Sequence, residues 1–107
     1  MKTETFNKQA RVAFAAITEH MIEHDLPAPM SIDKYEATQV VRVMLDGGPE
    51  AQAAWVASVD VIDEQTETFA HPSAGIRSWW QVRLPNLGIV FEMVGFRSEP
   101  FLTAVSA

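Results

Sequence analysis

The sequence predicts a two-layer α+β domain. Two helices should pack on one face of a mixed sheet of four or five strands, and the sheet should end in a β-hairpin. Three observations predict this. An amphipathic helical stripe occupies the first quarter of the chain, a doubly apolar strand precedes a second helix, and two alternating strands close it around a proline–glycine turn. With 107 residues, 48% of them hydrophobic and 21% charged, residues 1–107 form one domain, long enough to bury a core without staples.

The first helix is expected from about Thr5 to Asp25. Phe6, Ala10, Ala13, Phe14, Ile17 and Met21 fall on one stripe at 100° per residue, and His24 continues its centre. Lys8, Arg11, Glu19 and Glu23 fall off it. Leu26-Pro27-Ala28-Pro29 stops the helix, because proline lacks the amide donor and restricts the residue before it. Met30 to Lys34 reads as a short strand. Thr38 to Leu45 reads as a central one, since Val40, Val41, Val43, Met44 and Leu45 put apolar groups on both faces. Asp46-Gly47-Gly48-Pro49 breaks it and starts a second helix, Pro49 to Val59, whose packing face is Ala51, Ala54, Trp55, Ser58 and Val59. Asp60 to Glu67 is so acidic that it reads as a solvated loop. A short strand around Thr66–Ala70 and a turn over His71-Pro72-Ser73-Ala74-Gly75 should follow.

The closing hairpin, Ile76–Leu84 with Ile89–Arg97, carries the most information. Pro85 suits the first corner of a type I turn and Gly88 the positive-φ position after it. That pairs Leu84 with Ile89 and fixes everything behind it. One face carries Leu84/Ile89, Val82/Phe91, Trp80/Met93 and Ser78/Gly95. The other carries Arg83/Val90, Gln81/Glu92, Trp79/Val94 and Arg77/Phe96. A slip by one residue would set Arg83 against Phe91 and mix the faces. The first face is core. The second, Arg77, Trp79, Gln81, Arg83, Val90, Glu92, Val94 and Phe96, exposes apolar area beside two arginines, the composition of a partner surface.

Composition bounds the function. The formal charge is −6, distributed as −1 over residues 1–30, −6 over 31–67 and +1 over 68–107. General nucleic-acid coating is disfavoured, since it rests on lysines and arginines. Arginine beside tryptophan on one strand still leaves single-stranded nucleic acid as an alternative ligand. The chain has no cysteine, which removes disulfides, thiolate metal sites and cysteine nucleophiles, and points to the cytoplasm. The longest apolar run, Val12 to Ile17, is far short of the ~20 residues a membrane span needs.

One catalytic motif is present. His20-Met21-Ile22-Glu23-His24 matches His-x-x-Glu-His, in which two histidines one helical turn apart hold a metal and the glutamate activates water. Glu92 or Glu99 would supply the third ligand. Against this, Glu23 points about 100° away from His24. The other acids, Asp60, Asp63, Glu64 and Glu67, lack the spacing that wraps a hard cation. No cofactor is expected.

Glu23-His24-Asp25-Leu26-Pro27-Ala28-Pro29, Ala53-Ala54-Trp55 and Leu84-Pro85-Asn86-Leu87-Gly88-Ile89-Val90-Phe91-Glu92 together resemble the small uncharacterised proteins carried by actinobacteria and their phages. That resemblance implies a mobile-element origin and no catalytic residues. The acidic stretch 60–67 and the Trp79-Trp80 pair lie outside its pattern. The leading expectation is a non-catalytic binding protein. It would dock a host factor or a second copy of itself through the outer face of the hairpin.

Overall fold

A computed structural model describes residues 2–45, 48–68 and 75–98. Seven elements follow one another: α1 (Lys2–Glu23), β1 (Ser31–Tyr35), β2 (Val40–Met44), α2 (Gly48–Ala57), β3 (Asp60–Thr68), β4 (Gly75–Arg83) and β5 (Val90–Ser98). They build a five-stranded mixed sheet in the order β1-β2-β5-β4-β3, with both helices on one side. β2 and β5 are parallel neighbours, and the remaining pairs are antiparallel. The predicted two-layer α+β class is the one observed.

α1 buries Phe6, Ala10, Ala13, Ala16, Ile17 and His20, the stripe that a 3.6-residue period requires. Its end is a Schellman turn. Asp25 adopts φ 50°, Leu26 N–H reaches back to the Met21 carbonyl at 2.9 Å, and Asp25 N–H to that of Ile22 at 3.2 Å. These bonds satisfy carbonyls that the helix leaves unpaired, with an aspartate in the position glycine usually fills. The helix therefore stops at Glu23, not Asp25, and His24 leaves the stripe.

β2 lies inside the sheet between β1 and β5, as its two apolar sides predict. α2 is shorter than its sequence expectation, and Ser58 and Val59 lie beyond it. Its buried residues are Ala51, Gln52 and Trp55. The Trp55 indole donates to the Pro27 carbonyl at 2.9 Å, tying α2 to the segment that leaves α1.

Residues 60–67 are a correction. They form an edge strand, not a loop, which takes in the short strand expected at Thr66–Ala70 as far as Thr68; residues 69 and 70 lie outside the described residues. β3 pairs with β4 from Asp60↔Arg83 to Thr68↔Ile76, with a bulge at Ile62 between Val61 and Asp63. Two of its acids, Glu64 and Glu67, have partners on β4. Glu64 accepts the Trp80 indole N–H at 2.7 Å, and Glu67 lies 3.5 Å from Arg77. A charged, bulged edge strand also resists pairing with another chain. The expected turn at His71–Gly75 falls outside the described residues but for Gly75, which begins β4.

The hairpin has the predicted register at every pair from Arg77↔Phe96 to Arg83↔Val90. Leu84 N–H donates to the Ile89 carbonyl at 2.9 Å and the Leu84 carbonyl accepts Leu87 and Gly88. Gly88 has φ 67°, the left-handed conformation for which glycine is suited.

The core lies between helices and sheet. Ile17, Val43, Val82, Phe91 and Met93 are essentially inaccessible there, and Trp55 closes the end under α2. Among the described residues, no helix is long and apolar enough to cross a membrane.

Candidate functional site: the open face of the sheet

Both helices cover the side of the sheet that carries Ser78, Trp80, Val82, Leu84, Phe91, Met93 and Gly95. Strand alternation then places Arg77, Trp79, Gln81, Arg83, Val90, Glu92, Val94 and Phe96 on the opposite side. β2 adds Val40, Arg42 and Met44 to that side, and β1 adds Asp33 and Tyr35. No described element lies over it.

Val90 and Phe96 are each about half exposed, at 48% and 47%. Val94 is a correction to the expected exposed set. It is buried, at 1%, between Trp79 directly opposite on β4 and Met44 directly opposite on β2. The middle of the face is therefore a packed apolar floor, with Trp79 and Phe96 rising beside it.

Two of the three arginines around this floor have ion-pair partners within the chain. Arg42 Nε and Nη2 donate to Glu92 Oε1 at 3.1 and 2.8 Å, and the Arg42 guanidinium stacks on the Tyr35 ring 4.6 Å from its centroid. Arg77 sits opposite Glu67 and Arg83 opposite Asp60. The two arginines that suggested a basic ladder thus face acids on β3. A groove for single-stranded nucleic acid needs uncompensated cations, so this arrangement weighs against that alternative. Arg42 is a site residue the sequence reading missed, and Asp60 and Glu67, read there as part of a solvated loop, lie opposite the two arginines. The doubly apolar pattern of β2 was the available signal for Arg42, since it implied a partner on both sides.

The histidine motif lies elsewhere, at the end of α1, and the ring expected at the centre of the apolar stripe, His24, is not the buried one. His20 is buried and His24 exposed. Their ring centroids are 4.3 Å apart. His20 Nε2 lies 2.9 Å from Ser58 Oγ, and Ser58 Oγ–H donates to the Trp55 carbonyl at 2.8 Å. The hydroxyl proton is thereby committed to the carbonyl, so His20 Nε2 must carry the proton in that contact. A serine holding its proton toward a helix carbonyl is a capping group and not an activated nucleophile. Burial first, then the neighbouring His24, lowers the His20 pKa, with Glu23 opposing.

Glu92, the expected third metal ligand, is on the other face of the sheet and bound to Arg42. Glu99 lies outside the described residues. Among the described residues, no cluster of three His, Asp or Glu side chains is placed to hold a metal ion. The motif holds α1 against the end of α2.

Gln52 was also missed. It is buried, and its Nε2 donates to the Phe96 carbonyl at 3.0 Å. β2 leaves the sheet after Leu45 N–H reaches the Val94 carbonyl, so the next acceptor along β5 lacks a backbone donor and takes a side-chain amide instead. The helix approaches closely because residue 95 is glycine: a Cβ there would lie 2.6 Å from Gln52 Cδ. Gln52 thus fixes the backbone that carries Phe96. No family model, curated protein or solved structure matches this chain, so its own geometry is what bears on function.

Proposed function

We propose that this chain is a non-catalytic self-associating protein whose open sheet face docks against the same face of a second copy. The observation that carries this reading is the half-exposed pair Val90 and Phe96 beside Trp79, which the chain's own helices leave uncovered. Three further features favour a second copy over a charged partner.

The first is size. Five strands about 4.8 Å apart, three of them nine residues long, present a face of roughly 600 Å² in projection. Standard interfaces bury about 800 Å² per partner. The second is composition. The face holds Trp79, Tyr35, Met44 and arginines, the residues enriched at interfaces, while Lys34 points to the helix side beside Val41. The third is charge. Arg42 is paired with Glu92 and Arg77 lies beside Glu67, so the face offers few free cations to an acidic partner. In this reading the exposed Val90 and Phe96 side chains supply affinity and the Arg42–Glu92 and Arg77–Glu67 pairs set orientation. The protein works in the cytoplasm, or, if phage-encoded, in that of its host.

Size-exclusion chromatography with light scattering tests this. The wild-type chain should run at twice its 11.9 kDa mass, and the Trp79→Ala/Phe96→Ala variant at the monomer mass. A monomer for both ends the self-association reading. A dimer for both moves the interface to another surface.

A further inference from the structure

The parallel ladder between β2 and β5 begins only at Arg42↔Glu92, although both strands start earlier, at Val40 and Val90. Their first residues part, and a cleft of about 600 Å³ opens through the sheet toward α1. Residues of both sheet faces line it, Ala10 and Ala13 from the helix side and Gln81 and Glu92 from the open side. Such a lining requires the strands to separate. The volume is in the range of small-molecule sites.

Its chemistry is specific. The inner wall is apolar, built from Phe6, Val41, Ile89 and Phe91. Leu45 N–H donates to the Val94 carbonyl, which sets the phase of the ladder: Val41, Val43 and Leu45 turn their amides toward β5. Counting back, the Val41 N–H aims at the Val90 carbonyl, and that step is missing from the ladder. Val41 is buried, at 4%, so its amide is a donor held in an apolar wall without a strand partner. A buried donor of this kind favours a ligand that brings an acceptor. Lys8 stands at the rim, while the nearby Glu92 carboxylate is already neutralised by Arg42.

We infer that this cleft binds a monocarboxylate with an apolar body, its carboxylate received by the Val41 amide and Lys8 and its body lying along the accessible Val12, Ile89 and Val90 side chains of the lining. The inference does not rest on self-association, although Val40, Gln81, Val90 and Glu92 belong both to the cleft and to the open face, so the titration is made at concentrations where the chain is monomeric.

Decanoate and its uncharged counterpart decanol are the probes, titrated into the full chain with the backbone amides followed by NMR. Decanoate should saturate with a Kd below about 1 mM and shift the Val41 and Val90 amides. Decanol should bind at least about tenfold more weakly, the loss expected of one charge-assisted contact. Lys8→Glu, an exposed substitution that leaves the core intact, should bring decanoate down to the level of decanol. The absence of saturable binding overturns the site. Equal binding of the two probes overturns the carboxylate assignment. Shifts confined to Trp79 and Phe96 would place binding on the open face and overturn the cleft.

Discussion

The two faces of the sheet are built from the same strands, yet they differ in composition and in how they are covered. On the helix side, Val43, Val82, Phe91 and Met93 are sealed by α1 and α2. On the open side, Val94 is equally inaccessible, but only its strand neighbours shield it. The helix side hides apolar area by adding a layer. The open side hides a single valine by growing larger side chains around it, and then leaves Phe96 and Val90 half exposed. The charged groups divide in the same way. Matched ions frame the open face, whereas the helix side buries one neutral imidazole, His20.

The strongest way to break this comparison is to truncate one phenylalanine on each side. Phe91→Ala opens a cavity under the helices and should cost about 3–5 kcal/mol in urea unfolding. Phe96→Ala, measured at protein concentrations where the chain is monomeric, should cost under about 1 kcal/mol, because its ring is half solvated before the change. Equal losses would mean that the open face is as much a core as the covered one.

How much of this contrast could be read from the sequence depends on the range of the interactions involved. The β4/β5 register was legible because each side chain's partner lies within the hairpin, and Pro85 and Gly88 fix the turn. The face assignment followed from the alternation alone. β3 was not legible. Asp60, Asp63, Glu64 and Glu67 carry the composition of a loop, and what makes them a strand is across the sheet: the Trp80 indole on Glu64 and Arg77 beside Glu67. His24 was placed at the centre of the stripe because the stripe was extended through a helix that Asp25 in fact ends. Gln52 was invisible for a similar reason. A buried glutamine is tolerated only where a carbonyl and a glycine await it, and both lie on β5. Of the candidate site, the hairpin residues were legible and their acidic partners were not.

Gly95→Ala joins the two faces in one experiment. The added methyl displaces the end of Gln52, a flexible amide that can move, and the Phe96 carbonyl loses its donor. The expected cost is about 1–2 kcal/mol. Gln52→Ala should cost a similar amount alone and add little on top of Gly95→Ala, since both remove the same bond. Full additivity would show that Gln52 and Gly95 act separately.

Acid should act through the covered side. His20 has a folded-state pKa below its ordinary 6.5, because burial and His24 disfavour its charged form while Glu23 opposes them. Between that lowered pKa and 6.5, the unfolded chain binds more protons than the folded one. Stability is therefore full above pH 6.5 and falls as pH drops toward the folded-state value. Denaturant midpoints followed from pH 7.5 downward should show the loss, and His20→Gln should flatten it over that window. An unchanged slope in the variant would assign the acid sensitivity to another group.

The smallest effect separates the ion pairs of the open face from one another. Arg42 and Glu92 are largely shielded, with side chains 25% and 14% exposed and a second hold on Arg42 from Tyr35. Arg77 and Glu67 are farther apart and more exposed, at 32% and 64%. A double-mutant cycle on the first pair should give a coupling of about 1 kcal/mol, and one on the second about 0.3 kcal/mol or less. Salt should erode the second more completely, because water already screens it. If the order is reversed, Glu67 and not Glu92 organises the arginines. The charge balance of the open face would then rest on its edge strand, where a partner chain would disturb it first.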